Sequence, residues 1–156
     1  MQQITPFIWI KENAREALEF YTKLFKNSKV MQVTPIKGAP GPAGQFVANF
    51  TLMGQPFMLI QGGDNPILKT SGPLSLTVPC DTQEEIDTLW AAFEAGGKPI
   101  ACGWIVDRFG VTWQVVPAKM GELMSGDPEK VKRVTGAMLK MMRFDIAALE
   151  AAAAGK

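Results

Sequence analysis

The side chains of clearest chemical interest lie in residues 107–114, Asp-Arg-Phe-Gly-Val-Thr-Trp-Gln. This run predicts a tight turn that leads into a strand carrying the Thr112 hydroxyl and the Gln114 amide. The chain contains no histidine, although histidine is the most frequent general base of enzymes and the commonest protein ligand of metals. Chemistry at this strand therefore depends on neutral polar groups.

The two cysteines are the next candidates for chemistry. A thiol nucleophile is usually activated by a neighbouring imidazole, which this chain lacks. Cys80 follows Pro79 at the end of a predicted strand, which favours a small buried thiol. Cys102 lies beside Gly103 and Trp104 and is the better candidate for contact with a ligand, although packing accounts for both.

Two glycine-rich stretches could in principle bind a phosphate or a nucleotide. Residues 38–44 contain Pro40 and Pro42, which have no amide hydrogen, and a strand follows where a nucleotide-binding turn requires a helix. Residues 61–65, Gln-Gly-Gly-Asp-Asn, could expose successive amides to an anion. No lysine follows at the spacing of a phosphate-binding loop, and a turn leaving a strand is the simpler interpretation.

Length and composition restrict the class of protein. A chain of 156 residues with 47% apolar and 20% charged residues is typical of one globular domain. A net charge of +1 gives no field that would attract nucleic acid or an anionic membrane. No apolar run approaches a membrane span and no secretion signal is visible, so we expect a cytoplasmic protein with two reduced thiols.

The pattern of predicted elements repeats once along the chain. A strand at 4–10, a helix capped by Asn13 with Glu16, and strands at 29–36, 45–52 and 55–61 form the first set. A strand at 74–78, a helix capped by Thr82 with Glu85, and strands at 102–106 and 111–116 form the second. The repeat predicts one module over residues 4–62 and another over 74–117, each of the type βαβββ.

Residues 118–156 predict a helical tail. Asp127 followed by Pro128 is a strong signal for a helix start, and Asp145 begins a last helix. Apolar side chains recur on one face of the first of these helices, namely Val131, Val134, Met138 and Met141. This face must be covered by the same chain or by another.

The chain resembles the vicinal-oxygen-chelate superfamily, which includes the glyoxalases and the bleomycin-resistance proteins. More narrowly, it resembles the PhnB-like branch, also called 3-demethylubiquinone methyltransferase-like. The resemblance spans nearly the whole chain and rests on residues 4–10, 17–25, 62–63, 80–87, 102–104, 113–117 and 145–150. It implies an α+β fold of paired βαβββ modules whose sheets enclose a shared cleft, often completed by dimerisation. It implies no settled activity.

The resemblance also indicates where a superfamily metal would be bound. The ligand positions fall near Pro6, near Pro73 and at Gln114, where relatives usually carry a glutamate. Neither proline has a side chain that can ligate a metal, and an amide oxygen alone is a weak ligand. We therefore expect no metal and no other cofactor.

Strand alternation from these positions nominates a ligand site. If Gln114 faces the cleft, so does Thr112, while Trp113 and Val115 face the helices. The same alternation from Pro6 turns Ile8 and Ile10 inward, and neighbouring strands add the remaining residues. The predicted ligand-binding residues are Ile8, Gln61, Cys102, Trp104, Thr112 and Gln114.

Three functions are compatible with such a site. The first is binding of a small neutral or aromatic molecule, with or without metal-independent catalysis. The second is a methyltransferase or a metal-dependent lyase or dioxygenase, as the names of relatives suggest. The third is assembly alone, with the cleft filled by side chains. We also expect a homodimer formed through the methionine-bearing tail, because two helices already cover the predicted sheets.

Overall fold

The computed structural model describes residues 5–36, 44–63 and 74–156. The chain divides into two compact units, Met1–Gly72 and Pro73–Lys156. Each unit contains one βαβββ module, and the second also contains the helical tail. The α+β fold of two such modules with a C-terminal tail is thus confirmed.

The first unit is a four-stranded sheet covered on one face by a helix. In chain order it contains β1 (Phe7–Ile10), α1 (Ala14–Leu24), β2 (Lys29–Pro35), β3 (Phe46–Leu52) and β4 (Gln55–Gln61). The strand order is β1-β4-β3-β2, with β1 parallel to β4 and the other neighbours antiparallel. Side chains of α1 and of the covered sheet face form its core, notably Tyr21, Phe46, Phe50 and Leu59.

The second unit repeats this order. It contains β5 (Leu76–Cys80), α2 (Gln83–Glu94), β6 (Lys98–Pro99), β7 (Trp104–Val106) and β8 (Thr112–Pro117). The strand order is β5-β8-β7-β6, and only β5 and β8 are parallel. The two-residue strand β6 was not located from the sequence, since so short a strand has no measurable alternation. The predicted strand from residue 102 begins instead at Trp104, because Cys102 and Gly103 both have positive φ.

The two covering helices begin in different ways. Thr82 caps α2 by accepting a hydrogen bond from the Glu85 amide at 3.2 Å, and the Glu85 carboxylate accepts from the Asp81 amide at 2.8 Å. The predicted capping box of α2 is therefore confirmed. The predicted box of α1 is wrong, because Asn13 has φ 62 and its side chain makes no cap hydrogen bond. A left-handed residue directs its side chain away from the helix amides, so another residue has to cap them.

The tail belongs to the second unit and consists of α3 (Met120–Leu123), α4 (Pro128–Met138) and α5 (Ile146–Ala153). The Gln83 side chain joins it to α2, donating to the Phe144 carbonyl at 3.0 Å and accepting from the Ile146 amide at 2.9 Å. Val134, Phe144 and Leu149 are buried. The expectation that the tail is surplus cover was therefore wrong, since much of its apolar surface packs within its own unit.

None of the helices in the described part of the chain combines the length and the apolar character that a membrane span requires.

Candidate functional site

The two faces of the second sheet are distinguished by β8. Trp113 stacks on Phe93 of α2 with 4.8 Å between ring centroids, and Val115 is fully buried. Successive residues of a strand point to opposite faces, so Thr112, Gln114 and Val116 face away from α2. The alternation predicted for β8 is confirmed.

We call the face opposite α2 the open face. Pairing between the strands assigns its members, since directly opposed residues share a face. It consists of Thr77, Pro79, Lys98, Trp104, Val106, Thr112, Gln114 and Val116. Ser75, just before β5, joins them through its hydrogen bond with Gln114. No aspartate or glutamate lies on these strand positions, so the face carries one cation, several neutral polar groups and apolar surface.

Thr112 is the least solvent-exposed of the polar residues on the open face. Its side chain is 8% exposed, and its hydroxyl oxygen has no hydrogen-bond partner among the described residues. Leaving a buried hydroxyl without a partner costs about 1–3 kcal/mol. Almost all buried polar groups in folded proteins are paired, so this hydroxyl marks a position at which a further molecule could bind.

Gln114 and Trp104 lie beside this hydroxyl. Gln114 pairs directly with Thr77 on one side and Trp104 on the other. Its amide nitrogen donates to the Ser75 hydroxyl at 2.7 Å, which fixes the side chain across the sheet and turns the amide oxygen the other way. The Trp104 side chain is 38% exposed. The open face thus holds an accessible aromatic ring next to an oriented amide.

Asp107 fixes the orientation of β8 from the opposite face. Its buried carboxylate accepts from the Phe109 amide at 2.9 Å, the Val111 amide at 3.0 Å and the Trp113 indole nitrogen at 2.8 Å. The first two bonds close the turn before β8, and the third holds the Trp113 ring toward α2. Because the strand alternates, the same bonds direct Thr112 and Gln114 to the open face.

Ile8 and Gln61 do not lie on the face of the first sheet that the sequence predicted to bind a ligand. Ile8 pairs with Leu59 and Ile10 pairs with Gln61, and these positions share the sheet face that α1 covers. The Gln61 side-chain oxygen accepts from the Ala14 amide at 3.1 Å. Gln61 therefore provides the N-terminal cap that α1 lacks locally. The prediction that Ile8 and Ile10 face a ligand cleft was wrong, because both lie on the face covered by α1.

Cys102 lies in a turn held by the tail. Its thiol donates to the Met138 carbonyl at 3.5 Å, and its amide donates to the Met141 carbonyl at 2.8 Å. Cys80 is buried, and this burial, together with the nearby Glu85 and Asp81 carboxylates, raises its pKa to about 11. Such a thiol is protonated near neutral pH and is a poor nucleophile.

The possible anion-binding loop after β4 has no free amides at its two glycines. The Gly62 amide donates to the Ile10 carbonyl and the Gly63 amide to the Lys11 carbonyl, both at 3.1 Å. Asp64 and Asn65 lie outside the described residues, as do Pro73 and residues 38–43. The indole nitrogen of Trp9 donates to the Gly63 carbonyl at 2.9 Å. These glycines therefore accommodate Trp9, and the turn interpretation is favoured.

The residues at the metal-ligand positions of the superfamily are not suited to hold a metal ion in this chain. Among the described residues, no cluster of three or more Cys, Asp or Glu side chains could hold an ion. Gln114 offers a single neutral amide oxygen, because its amide nitrogen donates to Ser75, and Pro6 has no donor atom in its side chain. Hard divalent cations require several oxygen ligands, which these side chains do not supply.

A known family model matches this chain. The model described as 3-demethylubiquinone-9 3-methyltransferase matches residues 2–116, which include both βαβββ modules. The chain belongs to this family. A comparison with curated protein sequences finds no match.

Solved structures support the same assignment. The PhnB protein of Bacillus cereus, which carries the same methyltransferase description, is 35% identical with a TM-score of 0.68 over 75% of this chain and 100% of its own. Protein PA1353 of Pseudomonas aeruginosa is 22% identical with a TM-score of 0.61 over 75% and 98%. The fosfomycin resistance protein FosX of Listeria monocytogenes is 12% identical with a TM-score of 0.60 over 80% and 98%. The last two structures are evidence for the fold alone. The family of this chain is the PhnB-like family, whose members have the vicinal-oxygen-chelate fold.

Three members of the open face were not nominated from the sequence. Lys98 was missed because β6 is only two residues long, and Ser75 and Thr77 because the open face of β5 was not considered. The pattern around β5 contained a usable signal. A strand parallel to β8 with hydroxyls at 75 and 77 presents both to the face that carries Gln114.

Proposed function

We propose that this family member binds a small neutral or aromatic molecule on the open face without using a metal ion. The observation that carries the proposal is the Thr112 hydroxyl, which is buried and has no hydrogen-bond partner among the described residues. The exposed Trp104 ring and the Gln114 amide lie next to it. Apolar surface with a few convergent polar groups is the usual composition of a small-molecule site.

The predicted site residues contribute unequally to this proposal. Thr112, Gln114 and Trp104 share the open face and can contact one molecule. Cys102 adjoins the tail and would contribute through the position of the turn before Trp104. Ile8 and Gln61 support the first unit and are not proposed as ligand contacts.

Native mass spectrometry of protein purified without denaturation tests the proposal. We expect a retained molecule of low mass on the natural chain, and its loss from a Trp104→Leu variant. Trp9→Leu is the matched control, because Trp9 is on the first sheet and is engaged with Gly63. Retention by Trp104→Leu together with loss from Trp9→Leu would contradict the assignment to the second sheet.

The methyltransferase name of the family is not the function we propose. Binding of S-adenosylmethionine normally uses a glycine-rich turn that presents free amides before a helix. The stretch 38–44 contains Pro40 and Pro42, which have no amide hydrogen, and the Gly62 and Gly63 amides donate to the Ile10 and Lys11 carbonyls. We therefore expect no calorimetric binding of S-adenosylmethionine at physiological concentrations. A micromolar dissociation constant, about −8 kcal/mol, would restore the methyltransferase function.

We also infer a homodimer formed through the tail. Leu139 and Met142 follow α4 and are 65% and 55% exposed, which is unusual for large apolar side chains that lie so close together in sequence. Covering them would bury apolar surface at about 25 cal/mol per Å². Light scattering should report twice 17.0 kDa, and Leu139→Glu with Met142→Glu should yield the monomer. A monomeric natural chain would disprove this inference.

We also propose that the protein is located in the cytoplasm. Both cysteines are free thiols, as is usual in reducing compartments.

A further inference from the structure

Two rows of cross-strand neighbours divide the open face. One row consists of Thr77, Gln114 and Trp104, and the other of Thr112, Val106 and Lys98. The first row offers an aromatic ring and an oriented amide. The second has a hydroxyl at one end, a cation at the other and an apolar side chain between them. The rows therefore differ in the kind of group they can bind.

The second row is suited to an anion. Neighbouring strands are about 4.8 Å apart, so the backbones of Lys98 and Thr112 are separated by roughly 10 Å. The long, flexible lysine side chain can extend over Val106 toward the Thr112 hydroxyl. The described strand positions of the open face contain no acidic residue that would compete for either group. Of the acidic residues close to this row in sequence, Asp107 is directed to the other face by its bond to Trp113, and Glu94 is the last residue of α2, which covers that other face.

We propose that the molecule bound on the open face is an aromatic carboxylate, with its ring against Trp104 and its carboxylate held by Thr112 and Lys98. This inference rests on the proposed function and narrows its ligand class. The hydroxyl donates to one carboxylate oxygen and thereby gains the partner that it lacks. The ammonium balances the charge, and the Gln114 amide oxygen remains available to a hydroxyl or amino substituent on the ring. No bond is made or broken, so the inference concerns recognition alone.

Two probes of similar shape distinguish the contribution of the ligand's charge to binding from that of its aromatic ring. Calorimetry of the full chain with 2-naphthoate and with its neutral isostere 2-naphthamide compares a carboxylate with a carbonyl on the same aromatic body. Because Lys98 is exposed and such ion pairs are weak, we expect 2-naphthoate to bind about threefold to fivefold more tightly. Raising the salt concentration should reduce this preference, since exposed charges are screened.

Single-residue variants show which side chains cause the preference for 2-naphthoate over 2-naphthamide. Lys98→Gln should equalise the two probes, whereas Lys132→Gln, on the exposed side of α4, should leave the preference intact. Thr112→Val should weaken both probes about tenfold, because the hydroxyl donates to either oxygen. Trp104→Leu should abolish the binding of both. Thermal unfolding of each variant shows that the fold is retained.

The outcomes distinguish this inference from the proposed function. If both probes bind equally to the natural chain and lose binding in Trp104→Leu, the open face binds aromatic molecules and the carboxylate inference is overturned. If Lys98→Gln keeps the preference, the cation has been assigned wrongly and the inference again fails. If neither probe binds, or if Trp104→Leu binds both normally, the inference and the proposed function fail together.

Discussion

The two units have the same element order and the same strand order, yet they use their amide side chains differently. In the first unit, Gln61 on β4 caps α1 from across the chain. In the second, Thr82 and Glu85 cap α2 locally, and Gln114 on β8 faces away from α2 and donates to the Ser75 hydroxyl. The strand amide of the first unit thus supports its covering helix, whereas the strand amide of the second unit belongs to the open face.

The outward faces of the two sheets differ in the same way. The row Phe7, Met58 and Asn49 of the first sheet occupies the positions that Thr77, Gln114 and Trp104 occupy in the second. The first row is mainly apolar. The second combines a hydroxyl, an amide and an indole and lies next to the unpaired Thr112 hydroxyl. The same architecture therefore has a candidate binding surface in the second unit and a mainly apolar surface with fewer polar groups in the first.

The largest expected difference concerns the turn between the last two strands of each unit. In the second unit, Asp107→Ala removes the acceptor of two backbone amides and of the Trp113 indole at a site that is 4% exposed. We expect a loss of about 3 kcal/mol in the free energy of unfolding, because buried donors are left unsatisfied. In the first unit, partly buried Ser28 accepts from the Met53 amide, and Ser28→Ala should cost less than about 1 kcal/mol.

Denaturant titration of the two variants measures this comparison. Equal losses, or a larger loss for Ser28→Ala, would show that Asp107 does not determine the conformation of the second hairpin.

A second comparison concerns a pair of glycines with positive φ in the second unit. A Cβ on Gly103 would lie 2.6 Å from the Val115 carbonyl oxygen and would also meet the Phe144 ring, whereas a Cβ on Gly110 meets nothing within 4 Å. Gly103→Ala should therefore cost more than about 2 kcal/mol, and Gly110→Ala only the backbone strain of about 1 kcal/mol. Thermal unfolding that ranks them in the reverse order would contradict the described packing of the tail.

The helix caps provide a third comparison with a smaller effect. Gln61→Ala and Thr82→Ala should each cost about 1 kcal/mol of unfolding free energy. Hydrogen exchange should place the first loss at the start of α1 and the second at the start of α2. An unchanged exchange rate at the Ala14 amide in Gln61→Ala would show that the tertiary cap is not formed in solution.

The last comparison is the pH dependence from Cys80, which is expected only in alkaline solution and is absent near neutral pH. Its pKa is about 11 in the folded chain and 9.0 without the protein environment, because burial and two carboxylates penalise the thiolate. The thiol favours the folded state fully below pH about 9, and this contribution is lost as pH rises toward about 11. A Cys80→Ala variant should therefore lose less stability than the natural chain between these pH values. Parallel pH profiles would contradict the assigned shift.

The sequence predicted the element order apart from β6 and α3, because helical periodicity, the turn residues and the N-caps at Thr82, Asp127 and Asp145 agreed with each other. It also predicted the direction of Thr112 and Gln114, since Trp113 and Val115 alternate with polar residues on β8. The direction of β1 could not be predicted from its sequence. Phe7, Ile8, Trp9 and Ile10 are apolar on both faces, so alternation contains no signal, and counting from Pro6 gave the wrong side.

Other features depend on contacts that a linear pattern does not contain. The Gln61 cap joins residues far apart in sequence and substitutes for Asn13, whose left-handed backbone could not be foreseen. Gln83 looks like an ordinary first-turn residue of α2, yet it connects the tail to the second unit. Lys98 became a candidate only when β6 placed it in the row of Thr112.

Two-dimensional NMR of the tryptophan indole groups tests the central claim most directly, because each unit contributes a tryptophan to its outward face. During titration with 2-naphthoate, we expect the Trp104 indole signal to shift in a saturable manner. The signals of Trp9 and Trp113, whose indole nitrogens are bonded to Gly63 and Asp107, should shift little. A saturable shift of Trp9 with an unmoved Trp104 would contradict the claim that the open face of the second sheet is the binding surface.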